Sequence, residues 1–127
     1  MKNVKNEFRK KEFYQDRQAI GTESYHRIGL SRKVIFTDGT KIMFEKLSCF
    51  WLCDIICSYA SKLKVDEFYT VYFILDEEKS SGVFYITDGN YDVLIEQVVP
   101  FTDIESNIQM FIAGNGEYLV GMLPTEY

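Results

Sequence analysis

The chain has 127 residues, of which 46% are hydrophobic and 16% aromatic, with a net charge of -5. It is too apolar for a disordered chain, and long enough for one domain with a real core. The net charge hides a division. Residues 1–64 carry thirteen Lys and Arg against seven Asp and Glu, a net +6, whereas residues 65–127 carry Lys79 alone against twelve acids, a net -11.

No apolar run reaches the roughly 18 residues of a membrane span. The segment MKNVKNEFRKKEF has no apolar stretch of the secretory kind, and no hydrophobic tail follows LPTEY. These features predict a cytoplasmic protein whose cysteines stay reduced.

In chain order, residues 3–18 are rich in helix formers, and residues 1–18 are expected to form a peripheral helical arm ended by Gly21 and Thr22. Ser24–Ile28 and Val34–Phe36 are short β-branched or aromatic runs. Thr37, Asp38 and Gly39 spell a turn, and Thr40–Lys46 suits a strand and a helical turn equally. Residues 47–62 predict the main helix. At 100° per residue, Cys49, Leu52, Cys53, Ile56, Cys57 and Ala60 fall on one wide apolar arc, while Asp54, Ser58 and Trp51 lie on the other side.

From Glu67 the period changes to that of strands. FYTVYFIL (68–75), VFYIT (83–87), YDVLIEQVV (91–99), IQMFIA (108–113) and YLVGML (118–123) are separated by the turn sequences EEKSSG, DGN and GNGE, with Pro100 closing the third strand. The expected fold is therefore α+β. A single domain over 1–127 would hold about five antiparallel strands in meander order, packed on one main amphipathic helix.

The cysteines stand four apart. Three thiols on successive helical turns spread over about 12 Å and cannot converge on one metal ion. Their place in the apolar arc predicts core packing. DGNYD offers the first spacings of a calcium loop, but Val93 and Val99 stand where that loop needs Gly and Glu. No nucleophile motif, phosphate loop or zinc helix is present, so neither a metal nor a cofactor is expected. His26 is the only histidine. Trp51, on the polar side of its helix, is expected either to be covered by the N-terminal helix or to anchor a partner.

Six stretches carry a resemblance: IGTESYH (20–26), VIFTDGTKIMFE (34–45), FWLCDII (50–56), TDGN (87–90), VPFTD (99–103) and LPTEY (123–127). In this order they resemble a family of small uncharacterised proteins of bacteria, plasmids and phages, associated with anti-CRISPR inhibitors of RNA-guided nucleases. The chain departs from the family pattern at Ile104 and Glu105, where the pattern has Phe-Pro, and at the cysteines, where it has Ala or Leu. The resemblance implies a mobile-element setting and no agreed activity.

Two readings of function follow. In the first, the chain is a non-enzymatic inhibitor in a bacterial host. It contacts a protein partner with a basic nucleic-acid-binding groove through Asp76, Glu77, Glu78, Asp88, Asp92 and Glu96, with Trp51 as anchor, and binds neither nucleic acid nor membrane directly. In the second, it is a small ligand-binding or enzymatic domain with a site near His26, Asp38 and Asp54. Self-association is a third possibility, which sedimentation would decide.

Overall fold

The computed structural model describes residues 11–15, 22, 24–76 and 78–127. The elements are β1 (Tyr25–His26), β2 (Val34–Thr37), α1 (Asp38–Lys46), α2 (Phe50–Tyr59), β3 (Phe68–Asp76), β4 (Ser81–Thr87), β5 (Val93–Val99), β6 (Ile108–Gly114) and β7 (Leu119–Met122). Short 3-10 turns cover Ala60–Lys62 and Pro124–Glu126.

The expected antiparallel meander of five strands on a main helix is not what forms. Seven strands make a mixed sheet, in which β2 runs parallel to β7, and the two helices are short. The five expected strands do lie where the alternation placed them, and the hairpin pairs β3–β4, β4–β5 and β6–β7 form, but β6 lies beside β3 instead of β5. Strand periodicity fixes which face a residue takes, not which strand lies beside it.

The chain divides into two compact units. The first comprises Met1–Gln15 and Tyr69–Met110. Its frame is the β3–β4–β5 meander, with Val71 opposite Ile86, Tyr72 opposite Tyr85 and Phe73 opposite Phe84. Phe73, Phe84 and Ile86 are fully buried on one face. On the other face Tyr72 and Tyr85 pack with Ile74, Val83 and Phe13.

The described part of the expected N-terminal helix is extended. Phe13 forms a parallel bridge to Asn107, the Tyr14 amide donates to the Asn107 carbonyl at 2.8 Å, and the Phe13 ring lies 5.9 Å from that of Tyr72. The aromatic contact and the bridge outweigh a weak helical stripe. The remainder of that predicted helix lies outside the described residues.

The second unit comprises Asp16–Phe68 and Phe111–Tyr127. Here β2 passes directly into α1, so Thr37 to Gly39 are a helix start and not a free turn. Thr37 is the N-cap, accepting the Thr40 amide on its hydroxyl, and Asp38 sits in the first turn where the helix dipole favours an acid. Met43 and Phe44 are buried, which settles the ambiguous KIMFEK as helix.

The single helix expected over 47–62 is broken at its start. Ser48 takes a left-handed φ of 50°, and the Cys49 amide returns to the Phe44 carbonyl at 2.9 Å. This sharp turn lets the Phe44 ring meet Phe36 at 5.4 Å and Phe50 at 5.9 Å. Leu52, Cys53 and Ile56 then face inward from α2 while Asp54 and Ser58 stay exposed, as the helical wheel predicts. Phe68, Phe111 and Tyr127 close another part of this unit, with ring centroids 5.1 to 5.5 Å apart. Among the described residues no helix is long and apolar enough to cross a membrane.

Candidate functional site

Three of the sequence blocks converge on the start of α1. The Glu126 carboxylate accepts from the Thr37 hydroxyl at 2.6 Å, the Gly39 amide at 3.2 Å and the Leu123 amide at 3.1 Å. The Thr40 hydroxyl lies 2.9 Å from that of Thr37 and donates to the Gly121 carbonyl at 3.3 Å. An acid from the chain's end thus satisfies orphan donors at a helix N-terminus. Every bond Glu126 makes here closes the fold, so this network is structural.

Beside it lies a more accessible group. His26 Nε2 is 2.6 Å from Asp38 Oδ1, and the side chains are 28% and 32% exposed. The Ser24 hydroxyl donates to the same Asp38 oxygen at 2.8 Å and lies 3.3 Å from the same His26 nitrogen. The Thr22 hydroxyl accepts the Asp38 amide at 3.0 Å. A Ser-His-Asp relay needs the serine on one ring nitrogen and the acid on the other. Here both meet Nε2, so His26 cannot pass a proton from Ser24 while Asp38 orients it. The structure brings His26 and Asp38 together, but Asp54 belongs to a different surface.

That surface is a cavity of about 620 Å³ in the second unit, lined by Arg32, Lys33, Asp54, Cys57 and Ser58 among others. The three cysteines are all free, but they are not equivalent. Cys49 and Cys53 are buried and Cys57 is only half-buried, so the expectation of uniform core packing fails for Cys57. Burial pushes the Cys49 thiol up to about 12. Cys53 donates a hydrogen bond to Cys57, which raises its own pKa, and burial adds to the rise. That bond, with a second from the Ser31 backbone, lowers Cys57 to about 7 against the opposing effects of burial and Asp54. Gly29 makes room for the sulfur: a Cβ there would lie 2.3 Å from Cys57 Sγ. Sequence spacing identified the ladder but could not show that its last rung lines a cavity.

In the first unit, a cavity of about 360 Å³ is lined by Asp76, Ser80, Ser81, Thr102, Asp103 and Glu105, among others, and no cation is in the lining. Buried Thr102 shapes its rim. Its amide donates to the Ser80 carbonyl at 2.8 Å, and its hydroxyl accepts the Ile104 amide at 3.2 Å. Asp103 and Glu105 were missed as candidates. Their alternation around Thr102 and Ile104 was the available signal, since both of those residues are buried and both acids are exposed.

The other acidic candidates scatter. Asp88 Oδ1 accepts the Asn90 amide at 2.8 Å and the Asp92 amide at 3.1 Å, so this carboxylate is committed to its turn. Asp92 is half-buried, Glu78 is exposed in the β3–β4 turn, and Glu96 is exposed on β5 opposite Tyr85. Glu77 lies outside the described residues. Trp51 is half-buried on α2. Among the described residues no group of three or more His, Cys, Asp or Glu is placed to hold a metal ion.

These features define a small, mostly β protein with a mixed sheet, short helices and, among the described residues, surface cavities of opposite character in its two units. The chain belongs to DUF6876, a family of unknown function, whose sequence profile matches residues 12–127. The membership carries no activity, ligand or source with it. No curated protein and no solved structure matches the chain significantly.

Proposed function

We propose that the chain is a non-enzymatic interaction protein that binds a basic, nucleic-acid-handling protein through the acidic surface of its first unit. The observation that carries this reading is the cavity rimmed by Asp76, Asp103 and Glu105, none of which has an ion pair among the described residues. Carboxylates gathered on one rim are chemically suited to a groove built for phosphates. The hydroxyls of Ser80, Ser81 and Thr102 add short polar contacts between them. Asp88 leaves the contact surface, because its Oδ1 accepts two amides of its own turn, whereas Asp76 Oδ1 accepts a single one, from Glu78 at 3.2 Å. The resemblance to mobile-element proteins suggests the partner class: an RNA-guided defence nuclease, inhibited by competition with its nucleic acid.

The test is capture from a bacterial lysate on the immobilised chain at about 0.1 M and about 1 M salt, where the Debye length falls from about 10 Å to 3 Å. We expect a basic nucleic-acid-binding protein to be retained at low salt, released by added single-stranded DNA, and lost in the Asp76→Lys, Asp103→Lys double variant. Retention that ignores salt, or that survives the charge reversal, overturns the reading.

A further inference from the structure

We propose that Cys57 is a modification site, where the cavity wall receives a small carboxylate-bearing thiol as a mixed disulfide held by Arg32 and Lys33. The site is independent of the acidic rim and lies wholly in the second unit.

Four observations meet there. Cys57 is the cysteine that lines the cavity, while Cys49 and Cys53 are buried. Its sulfur occupies space that any side chain at position 29 would close. It takes hydrogen bonds from the Cys53 thiol and the Ser31 backbone, both of which stabilise a thiolate, and its lowered pKa of about 7 leaves much of it ionised near neutrality. Finally, the cavity brings two cations against one acid. Arg32 is exposed, Lys33 is fixed by donating its ammonium to the Leu63 carbonyl, and Asp54 is the opposing charge. A volume of about 620 Å³ is within the range that holds a small ligand of tripeptide size.

The exchange balances without a further reagent. The Cys57 thiolate attacks one sulfur of a low-molecular-weight disulfide that carries carboxylates. A new S–S bond forms to Cys57, the incoming S–S bond breaks, and the second half leaves as a thiolate. The Cys57 sulfur is oxidised and the departing sulfur reduced. Cys53 does not resolve the adduct, because a disulfide to a residue four along the same intact helix is poorly aimed. The product is therefore a stable adduct that changes the charge of this surface, reversed by a free thiol from solution.

The experiment compares two disulfide probes on the folded full chain: the dicarboxylate dithiobis(nitrobenzoate) and the neutral dipyridyl disulfide. Each rate is divided by the rate with free cysteine. One thiol should react fast, peptide mass spectrometry should place it at Cys57, and the Cys57→Ser variant should lose it. The preference for the anionic probe should fall about tenfold in the Arg32→Glu variant, the low end of electrostatic steering effects. Arg32 is exposed, so that variant tests charge and not folding. Equal labelling of Cys49 and Cys53, or no fast thiol, overturns the site. A fast Cys57 with no anionic preference overturns the ligand class.

Discussion

The two units differ in what holds them and in what they present. The second is tied by side chains that are far apart in sequence: Thr37 and Gly39 meet Glu126, and Thr40 meets Gly121. The first is held by hairpin register, β3 to β4 to β5, with its loops tied locally through Asp88 and Thr102. The first presents an acidic rim, the second a thiol beside two cations. Local pairing uses Asp88 in its own turn but leaves Asp103 and Glu105 at the surface. Long-range closure consumes an acid, as Glu126 illustrates. The charge division along the sequence therefore has a structural meaning only where the acids are not needed by the fold.

The largest effect should come from breaking that closure. Glu126→Ala removes three hydrogen bonds to a carboxylate, at Thr37, Gly39 and Leu123, and leaves the start of α1 without its partner. We expect a loss of about 3 kcal/mol in denaturant unfolding, with Glu126→Gln losing less. Amide exchange should accelerate at α1 first and at β4 later. Unchanged stability would show that the network is not what closes the second unit.

The contrast also explains what could be read from the sequence. The β3, β4 and β5 strands and their turns were legible because each signal is local: alternation, then a turn dipeptide, then alternation. The pairing of β2 with β7 was not. Val34 meets Leu119 and Phe36 meets Gly121 across a parallel ladder, and no local pattern encodes so distant a partner. The helix start at Thr37 was misread as a turn because Thr, Asp and Gly serve both purposes, and the deciding acid, Glu126, lies 89 residues from Thr37. The same applies to the candidate sites. Helical spacing placed Cys53 on the inward face correctly, but the close approach of Gly29 to the Cys57 sulfur comes from another segment and is not encoded in that spacing. His26 and Asp38 were grouped with Asp54 through shared blocks; His26 and Asp38 lie 2.6 Å apart, while Asp54 lines a cavity with Arg32 and Cys57.

A smaller effect is expected at Gly82, which tests the first unit in the same way. A Cβ there would lie 2.5 Å from the Phe73 ring and 3.1 Å from the Ile74 carbonyl. Phe73 is fully buried, so its ring has little freedom to move aside. Gly82→Ala should cost about 2 kcal/mol. Amide exchange at β3 and β4 should rise more than at α1, the reverse of the Glu126 pattern. Exchange that rises equally in both places would remove the distinction between the two modes of closure.

The smallest effect separates the units by pH. Cys57 has a lowered pKa in the folded chain, about 7 against an ordinary 9.0. Between these values the unfolded chain keeps a proton that the folded chain has released, so stability rises as pH climbs from 7 to 9. Two pKa units correspond to roughly 2.7 kcal/mol at most, and solvent screening at the partly exposed Cys57 reduces this to about 1 kcal/mol. Above pH 9 the sign reverses. Cys49 is raised to about 12 and Cys53 is raised as well, so the folded chain now holds protons that the unfolded chain has lost. Tyr72, raised by burial and by Tyr91 from 10.0 to about 12, adds the same loss in the first unit above about pH 10. Stability should therefore peak near pH 9. In Cys57→Ser the rise from pH 7 to 9 should vanish, while the Tyr72 loss above pH 10 remains. A rise that survives the substitution would place its origin outside the thiol pair.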